Sequence, residues 1–311
     1  MKSIVLLGAS GFLGHHFLLN RKKKIKVKAI SRNDKGLTNH YDNVDWYKTD
    51  ISSENCLEQF LEKDDVVVNL IYASDKDKNY NLHLLENIIN SCQKRDIYRL
   101  IHCSSAVVTG RTKINVIDEE TQCFPITNYQ KTKYMLEELV INACKNGIDT
   151  AVLRPTAILG IGGENLKKLV WSLVNEGQYK LWIKSLLFGA RPMHLVPVRN
   201  VVNSLEALIY NEKKMNGQIY NISSDYHKNN TYRNIEKIIL KNMSISYQPP
   251  SIAAPLFIVS ILLSVLGKRD EDINKIYLSD KIRSLDYKET ESLEQAIQEF
   301  AIHFLSKHHN K

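Results

Sequence analysis

The sequence holds few cysteines. There are five, Cys56, Cys92, Cys103, Cys123 and Cys144, and no two of them stand as C-x-x-C. The odd number and the missing spacing argue against a disulfide framework and against a zinc site, and they fit a reducing cytoplasm. Internal repeats and low-complexity linkers are absent. Aromatic residues make up 8% of the chain, and no basic run is interleaved with them. Binders of single-stranded nucleic acid need that interleaving, so no nucleic-acid partner is expected. The first apolar run, Ile4 to Leu7, is too short for a signal peptide and ends in a glycine turn. A spanning helix takes about 20 apolar residues. The uncharged stretch at 252–267 is only sixteen residues long, with Pro249, Pro250 and Pro255 crowding its start.

What is present describes an ordinary globular chain. Its 311 residues suffice for a large core and for one or two domains. The hydrophobic fraction is 43% and the charged fraction 24%. The formal net charge is +8, much of it in short runs such as Arg21-Lys22-Lys23-Lys24. Such a balance suits an anionic small ligand as well as a nucleic acid or an anionic membrane. The stretch at 252–267 reads either as a helix packed in the C-terminal portion or a subunit contact, or as an element dipping into the membrane interface, a peripheral contact. A homodimer is the expected assembly.

Strand and helix patterns alternate from the start. Strands are predicted at 4–7, 27–31, 44–47, 66–71, 98–103 and 150–153, with helices at about 12–20, 82–93 and 129–144. This alternation predicts an α/β fold, a doubly wound parallel sheet of the Rossmann kind. Residues 1–155 form the dinucleotide-binding domain in this reading. Residues 156–311 are mostly a smaller substrate-binding portion, and elements around 195–222 return to the sheet. Helices are expected at 166–175, 201–210 and 293–304, and a late strand at 218–222.

Gly8-Ala9-Ser10-Gly11-Phe12-Leu13-Gly14 follows the first strand and opens the first helix. Glycines there admit backbone angles closed to other residues and let the loop approach a pyrophosphate. The helix N-terminus adds unpaired N–H groups and a positive dipole end. Enzymes that use NAD usually carry an acid at the end of the second strand to hold the ribose hydroxyls. Here that strand ends Ile30-Ser31-Arg32, with Asp34 a little beyond. Ser31 and Arg32 suit a 2′-phosphate, so NADP is the expected cofactor and NAD the alternative. Asp50 and Ile51, after the third strand, are placed to touch the adenine, although Asp50 also suits a turn cap.

Tyr129-Gln130-Lys131-Thr132-Lys133 reads Y-x-x-x-K. On a helix the phenol and the ammonium share one face. A nearby lysine is expected to lower the tyrosine pKa toward useful acid–base work. Ser104-Ser105 closes the strand at 98–103, at the carboxyl side of the sheet, where doubly wound enzymes place their chemistry. Ser105 is placed to hydrogen-bond both a substrate oxygen and the Tyr129 hydroxyl.

Together, the glycine turn, His102-Cys103-Ser104-Ser105-Ala106-Val107-Val108-Thr109-Gly110, Tyr129 with Lys133, and Leu153-Arg154-Pro155 resemble the extended short-chain dehydrogenase/reductase family, the group of nucleotide-sugar epimerases, dehydratases and reductases. Further likeness lies at Asn81 and Asn87, at Glu119-Glu120-Thr121 with Pro125, at Val196-Pro197-Val198-Arg199-Asn200-Val201-Val202, and at Leu285-Asp286-Tyr287. The resemblance implies that Ser105, Tyr129 and Lys133 are the catalytic triad. Departures stand beside it. Dehydratases of the group carry an Asp-Glu pair where this chain has Ala106-Val107. Thr109, Ala157 and Arg199-Asn200 replace the more usual tyrosine, asparagine and acidic pair, which bears on the sugar pocket.

The resemblance implies a hydride exchanged with a nucleotide-linked sugar. The leading expectation is an NADP-dependent reductase of a UDP- or dTDP-linked 4-keto-6-deoxy sugar in O-antigen biosynthesis. A nucleotide-hexose 4-epimerase is the runner-up, and a dinucleotide-sensing protein without turnover is a third reading. A steroid- or dihydroflavonol-type reductase is a further one, since the apolar stretch at 252–267 could line a lipophilic pocket. Arg191 is read as a partner for the substrate diphosphate or as a surface arginine.

Overall fold

The computed structural model describes residues 1–33, 41–255, 257–259, 261 and 275–308. Eleven strands occur among them. They are β1 (Ile4–Leu7), β2 (Val27–Ser31), β3 (Val44–Lys48), β4 (Val66–Asn69), β5 (Arg99–Cys103), β6 (Val116–Ile117), β7 (Thr150–Pro155), β8 (Ala157–Leu159), β9 (Leu195–Pro197), β10 (Gln218–Ile222) and β11 (Ile276–Tyr277). Seven of them form one sheet in the order β10-β7-β5-β4-β1-β2-β3. Every pairing within it is parallel. Strand β1 reads as a continuous apolar run: Ile4-Val5-Leu6-Leu7 is buried along its whole length. A parallel strand covered on both faces requires this.

Two layers of helix provide the cover. Helices α1 (Phe12–Asn20) and α6 (Val198–Tyr210) lie over one face, and α2 (Lys78–Lys94) and α3 (Asn128–Lys145) over the other. Phe17, Leu205 and Ile101 belong to the first core layer, and Ile88, Val140 and Leu100 to the second. A third core joins α4 (Lys167–Asn175), α7 (Tyr232–Met243) and the last helix, α8 (Leu293–His308), through residues such as Leu173, Ile239 and Ile297. Helix α5 (Gln178–Phe188) completes this smaller portion. The chain re-enters the main sheet through α6 and β10. The sheet is the doubly wound arrangement expected from the alternation of elements. Its order reverses between β1 and β4, which opens a crevice at the carboxyl ends of the strands.

Local chemistry moves several boundaries from their predicted places. The strand expected at 66–71 stops at Asn69, whose Oδ1 accepts the Ile71 N–H at 3.0 Å and turns the chain out of the sheet. The helix expected from 82 begins at Lys78, because Asp77 accepts the Tyr80 N–H at 2.8 Å. Helix α3 opens with a capping box between Thr127 and Gln130. Helices α5 and α7 lay outside the expected set. Among the described residues, no helix is long and apolar enough to cross a membrane.

Candidate active site

Gly8, with φ +82°, ends β1 in a conformation that favours glycine. A Cβ on Gly14 would stand 2.4 Å from the Gly8 carbonyl oxygen. Only glycine therefore lets α1 lie against the turn. The N-cap of α1 is Gly11, which offers no side-chain cap, and the first turn holds no acid. The first N–H groups of α1 thus face the crevice with no side chain claiming them, which suits a diphosphate. Ser10 stands 2.8 Å from Ser31, oxygen to oxygen. Phe12 and Leu13 continue from the turn into a cavity of about 700 Å³. The residues present therefore fit a bound dinucleotide.

At the far end of that crevice, Ser31 is buried and its hydroxyl also accepts the Asn33 N–H at 3.2 Å. Arg32 is exposed. Asp34 lies outside the described residues. Asp50 accepts the Ser52 N–H at 3.0 Å and so caps a turn. That bond, with the Arg32 charge as a smaller contribution, holds the Asp50 carboxyl below its ordinary value. The Ile51 side chain is buried, and belongs to the core layer under α2 and α3.

The cavity brings Ser105, Tyr129 and Lys133 together. The Ser105 hydroxyl lies near enough to the Tyr129 phenol to bear on its pKa. Lys133 is buried, and its Nζ donates to the Cys103 carbonyl oxygen at 3.1 Å, at the end of β5. The same ammonium lies 4.7 Å from the centroid of the Tyr72 ring, which packs edge-on against Tyr129. The expectation that a neighbouring lysine lowers the Tyr129 pKa is corrected here. Desolvation of the hydroxyl pushes the phenol up, and the neighbouring Ser105 hydroxyl opposes it only in part. The lysine is directed to a carbonyl and a ring, and burial in turn pushes Lys133 down.

Behind these groups the support is buried and polar. His102 lies under Lys133 with its Nδ1 3.1 Å from Asn69 Nδ2. Burial, helped by the Lys133 charge, holds the imidazole down at about 3. Arg154 grips Glu137 with Nε at 2.9 Å and Nη2 at 2.6 Å, and both are buried. Glu137 is one helical turn beyond Lys133, so this pair ties the tyrosine-bearing helix to β7. The Arg154-Pro155 signature thus acts through structure. So does Asn81, which closes the loop after β4 by bonding the N–H and carbonyl of Ala73 at 2.9 and 3.0 Å. Asn200 accepts the N–H groups of Thr290 and Glu291 and fastens the turn before α8. Thr109 is buried and donates to the Ala106 carbonyl oxygen at 3.0 Å.

Arg191 stands outside the main cavity, in an adjoining groove of about 440 Å³ with Lys168 and Lys184. The two spaces share Ala157, Asn165, Met193 and His194 as a common wall. Sequence reasoning missed most of that wall. His194 is joined to Asp225 at 2.7 Å across 31 residues, a contact that no local pattern reveals. Gly162 and Gly163 line the cavity beside Phe12; the glycine cluster at 160–163 was a usable signal that went unread.

A family model described as the NAD dependent epimerase/dehydratase family matches residues 4–223. The chain is 27% identical over 248 residues to the sterol-4-alpha-carboxylate 3-dehydrogenase erg26 of Schizosaccharomyces pombe, covering 72% of this chain and 70% of that protein. It is 21% identical over 303 residues to the UDP-D-apiose/UDP-D-xylose synthase of Oryza sativa, covering 80% and 75% of the two chains. A solved UDP-glucuronic acid 4-epimerase from Bacillus cereus, in complex with NAD, superimposes with a TM-score of 0.75 at 16% identity, over 99% of this chain and 98% of that one. That structure shares the fold. The glycine turn at the sheet's reversal and the family match over more than half of the chain lead to one conclusion: this enzyme belongs to the NAD dependent epimerase/dehydratase family.

Proposed function

We propose that the enzyme uses NADPH to reduce the keto group of a nucleotide-linked 4-keto-6-deoxy sugar. The observation that carries this reading is the placement of Ser105, Tyr129 and Lys133 in a cavity that adjoins a cationic groove. Bound dinucleotide supplies the hydride to the ketone carbon. Tyr129 delivers the proton to the oxygen; its phenol, shifted up by desolvation, is in the protonated form that this task needs. Ser105 donates a hydrogen bond to the oxygen as charge develops there. Lys133 positions the end of β5 against α3 through the Cys103 carbonyl. Lys168, Lys184 and Arg191 suit a diphosphate.

Expulsion of water from a sugar needs an acid and a base beside the reacting carbon. Ala106 and Val107 supply neither. Glu164 is the one carboxylate among the described residues lining the cavity, and it is exposed and paired with Lys167. This favours reduction over dehydration. Ser31 and Arg32, with no acid at the end of β2, favour NADPH. An epimerase would use the same three residues, and the likeness to a 4-epimerase holding NAD keeps that second reading in view.

The test is NADPH absorbance with purified enzyme and UDP- or dTDP-linked 4-keto-6-deoxy sugars. Consumption in step with formation of the 4-hydroxy sugar is expected. No consumption, with UDP-hexoses interconverted by enzyme that retains NAD, would overturn reduction in favour of epimerisation. Oxidation of a 4-carboxysterol with NAD would move the substrate away from sugars altogether.

A further inference from the structure

We propose that the corner built by α4, α5 and the described residues between 252 and 261 is a docking surface for an anionic lipid membrane. The inference does not depend on which substrate the enzyme reduces. Among the described residues, eighteen large hydrophobic side chains are exposed, and eight of them stand in this corner. Single exposed apolar residues are normal, whereas a cluster marks an interaction surface. Trp171 and Val174 project from α4, and Tyr179 and Trp182 from α5. Each pair is three residues apart and so shares one helix face. Ile252, Phe257 and Ile261 are each more than 60% exposed.

The apolar chain is held in place at its root. Arg233 donates to the Ser251 carbonyl oxygen at 3.0 Å and to that of Ser185, in α5, at 3.1 Å. The Ala254 N–H donates to the Leu186 carbonyl oxygen at 2.6 Å. Val259 packs on Phe188 and Ala254. The protein therefore fastens this chain to α5 by its backbone and by one buried contact, while Phe257, Ile258 and Ile261 turn outward.

Charge and composition select lipid as the occupant. Tryptophan and tyrosine combine an apolar ring with a polar edge and settle at membrane–water interfaces. Residues 164–191 carry five cationic side chains, Lys167, Lys168, Lys180, Lys184 and Arg191, against two carboxylates, Glu164 and Glu176. The uncharged stretch runs on in sequence to Gly267 and is followed by Lys268-Arg269. Apolar side chains bordered by lysine and arginine suit an anionic interface. A second copy of the chain docking here by a two-fold axis would set basic surface against basic surface. Among the described residues no helix is long and apolar enough to span a bilayer, and the contact proposed is a peripheral one. Helices α4 and α5 also line the Arg191 groove, which places the groove next to the docked surface.

The experiment uses the full chain with phosphatidylcholine vesicles, with and without phosphatidylglycerol, some carrying brominated acyl chains. Sedimentation with the phosphatidylglycerol vesicles is expected, together with quenching of tryptophan fluorescence by the brominated lipid. In the W171F/W182F variant the remaining fluorescence, from Trp46 in β3, should escape quenching. A Tyr179→Ser, Phe257→Ser, Ile261→Ser variant should lose vesicle binding at least tenfold while its melting temperature and its dinucleotide binding stay unchanged. Absence of sedimentation would overturn the proposal, and so would binding that the triple variant retains. A wild-type dimer that this variant converts to monomer in sedimentation velocity would assign the surface to a second copy instead.

Discussion

Tyr129 holds its proton more tightly than a free phenol, because desolvation of the hydroxyl outweighs the neighbouring Ser105 hydroxyl. A phenol held this way serves as a donor, and its loss should be felt in turnover rather than in folding. Tyr129→Phe is expected to lower kcat by about 10²–10⁴-fold, with little change in KM or melting temperature; steady-state kinetics beside a thermal melt would check both. His102 makes a separate prediction at the same scale. Its imidazole is neutral in the fold, held at about 3, whereas in the unfolded chain it takes up a proton near 6.5. Its contribution to stability is therefore complete above pH 6.5 and is lost as pH falls toward 3. The slope is at most about 1.4 kcal/mol per pH unit. Urea unfolding of His102→Gln across that window should show a flatter acid limb than the parent. An identical slope would place the acid sensitivity elsewhere.

Helix α3 carries both Tyr129 and Lys133, so what fixes α3 also fixes the site. The buried Arg154–Glu137 pair does much of this, because it joins the helix to β7 one turn from Lys133. Removing one partner leaves the other charge buried and alone. Glu137→Ala should cost about 3–5 kcal/mol and reduce activity even where the protein remains folded; denaturant midpoints and initial rates would measure the two losses. Helix α1 depends on Gly14 in another way. The Cβ of Gly14→Ala would meet the Gly8 carbonyl oxygen at 2.4 Å, so the helix must move away from the turn. Dinucleotide affinity is expected to fall more steeply than thermal stability, as a titration of tryptophan fluorescence with NADPH would show.

Taken whole, the molecule joins a parallel sheet whose strand order reverses between β1 and β4 to a smaller helical portion with a core of its own. A ligand that binds only the folded state stabilises it, by about 2.7 kcal/mol at one hundred times its Kd. If Ser31 and Arg32 choose the cofactor, NADPH should raise the melting temperature more than NADH at equal concentration. Arg32→Ala should remove that difference. Equal shifts in the parent enzyme would take away the basis for NADPH. Arg99 shows how far the integration of the fold reaches. Fully buried in β5, it pairs with Asp149 at 2.7 Å and binds the carbonyl oxygens of Leu208, in α6, and of Asn211 and Lys213 just beyond it.

The central strands, their helices and the glycine turn were legible in the chain itself. Their signals are local: β1 is an unbroken apolar run that ends at Gly8, and Tyr129 and Lys133 are one helical turn apart. For the same reason β10 was recognisable as a late strand. The direction of the Tyr129 pKa shift was not legible. It depends on what surrounds the hydroxyl and on where Lys133 points, and both follow from packing between β5, α3 and Tyr72. Nor could sequence spacing show that His194 meets Asp225, or that Arg191 and Lys184 border the same groove. Residue type and periodicity therefore determined which groups the site contains. Only the tertiary structure decided which of them face one another, because burial and long-range contact set the charge and orientation of each group.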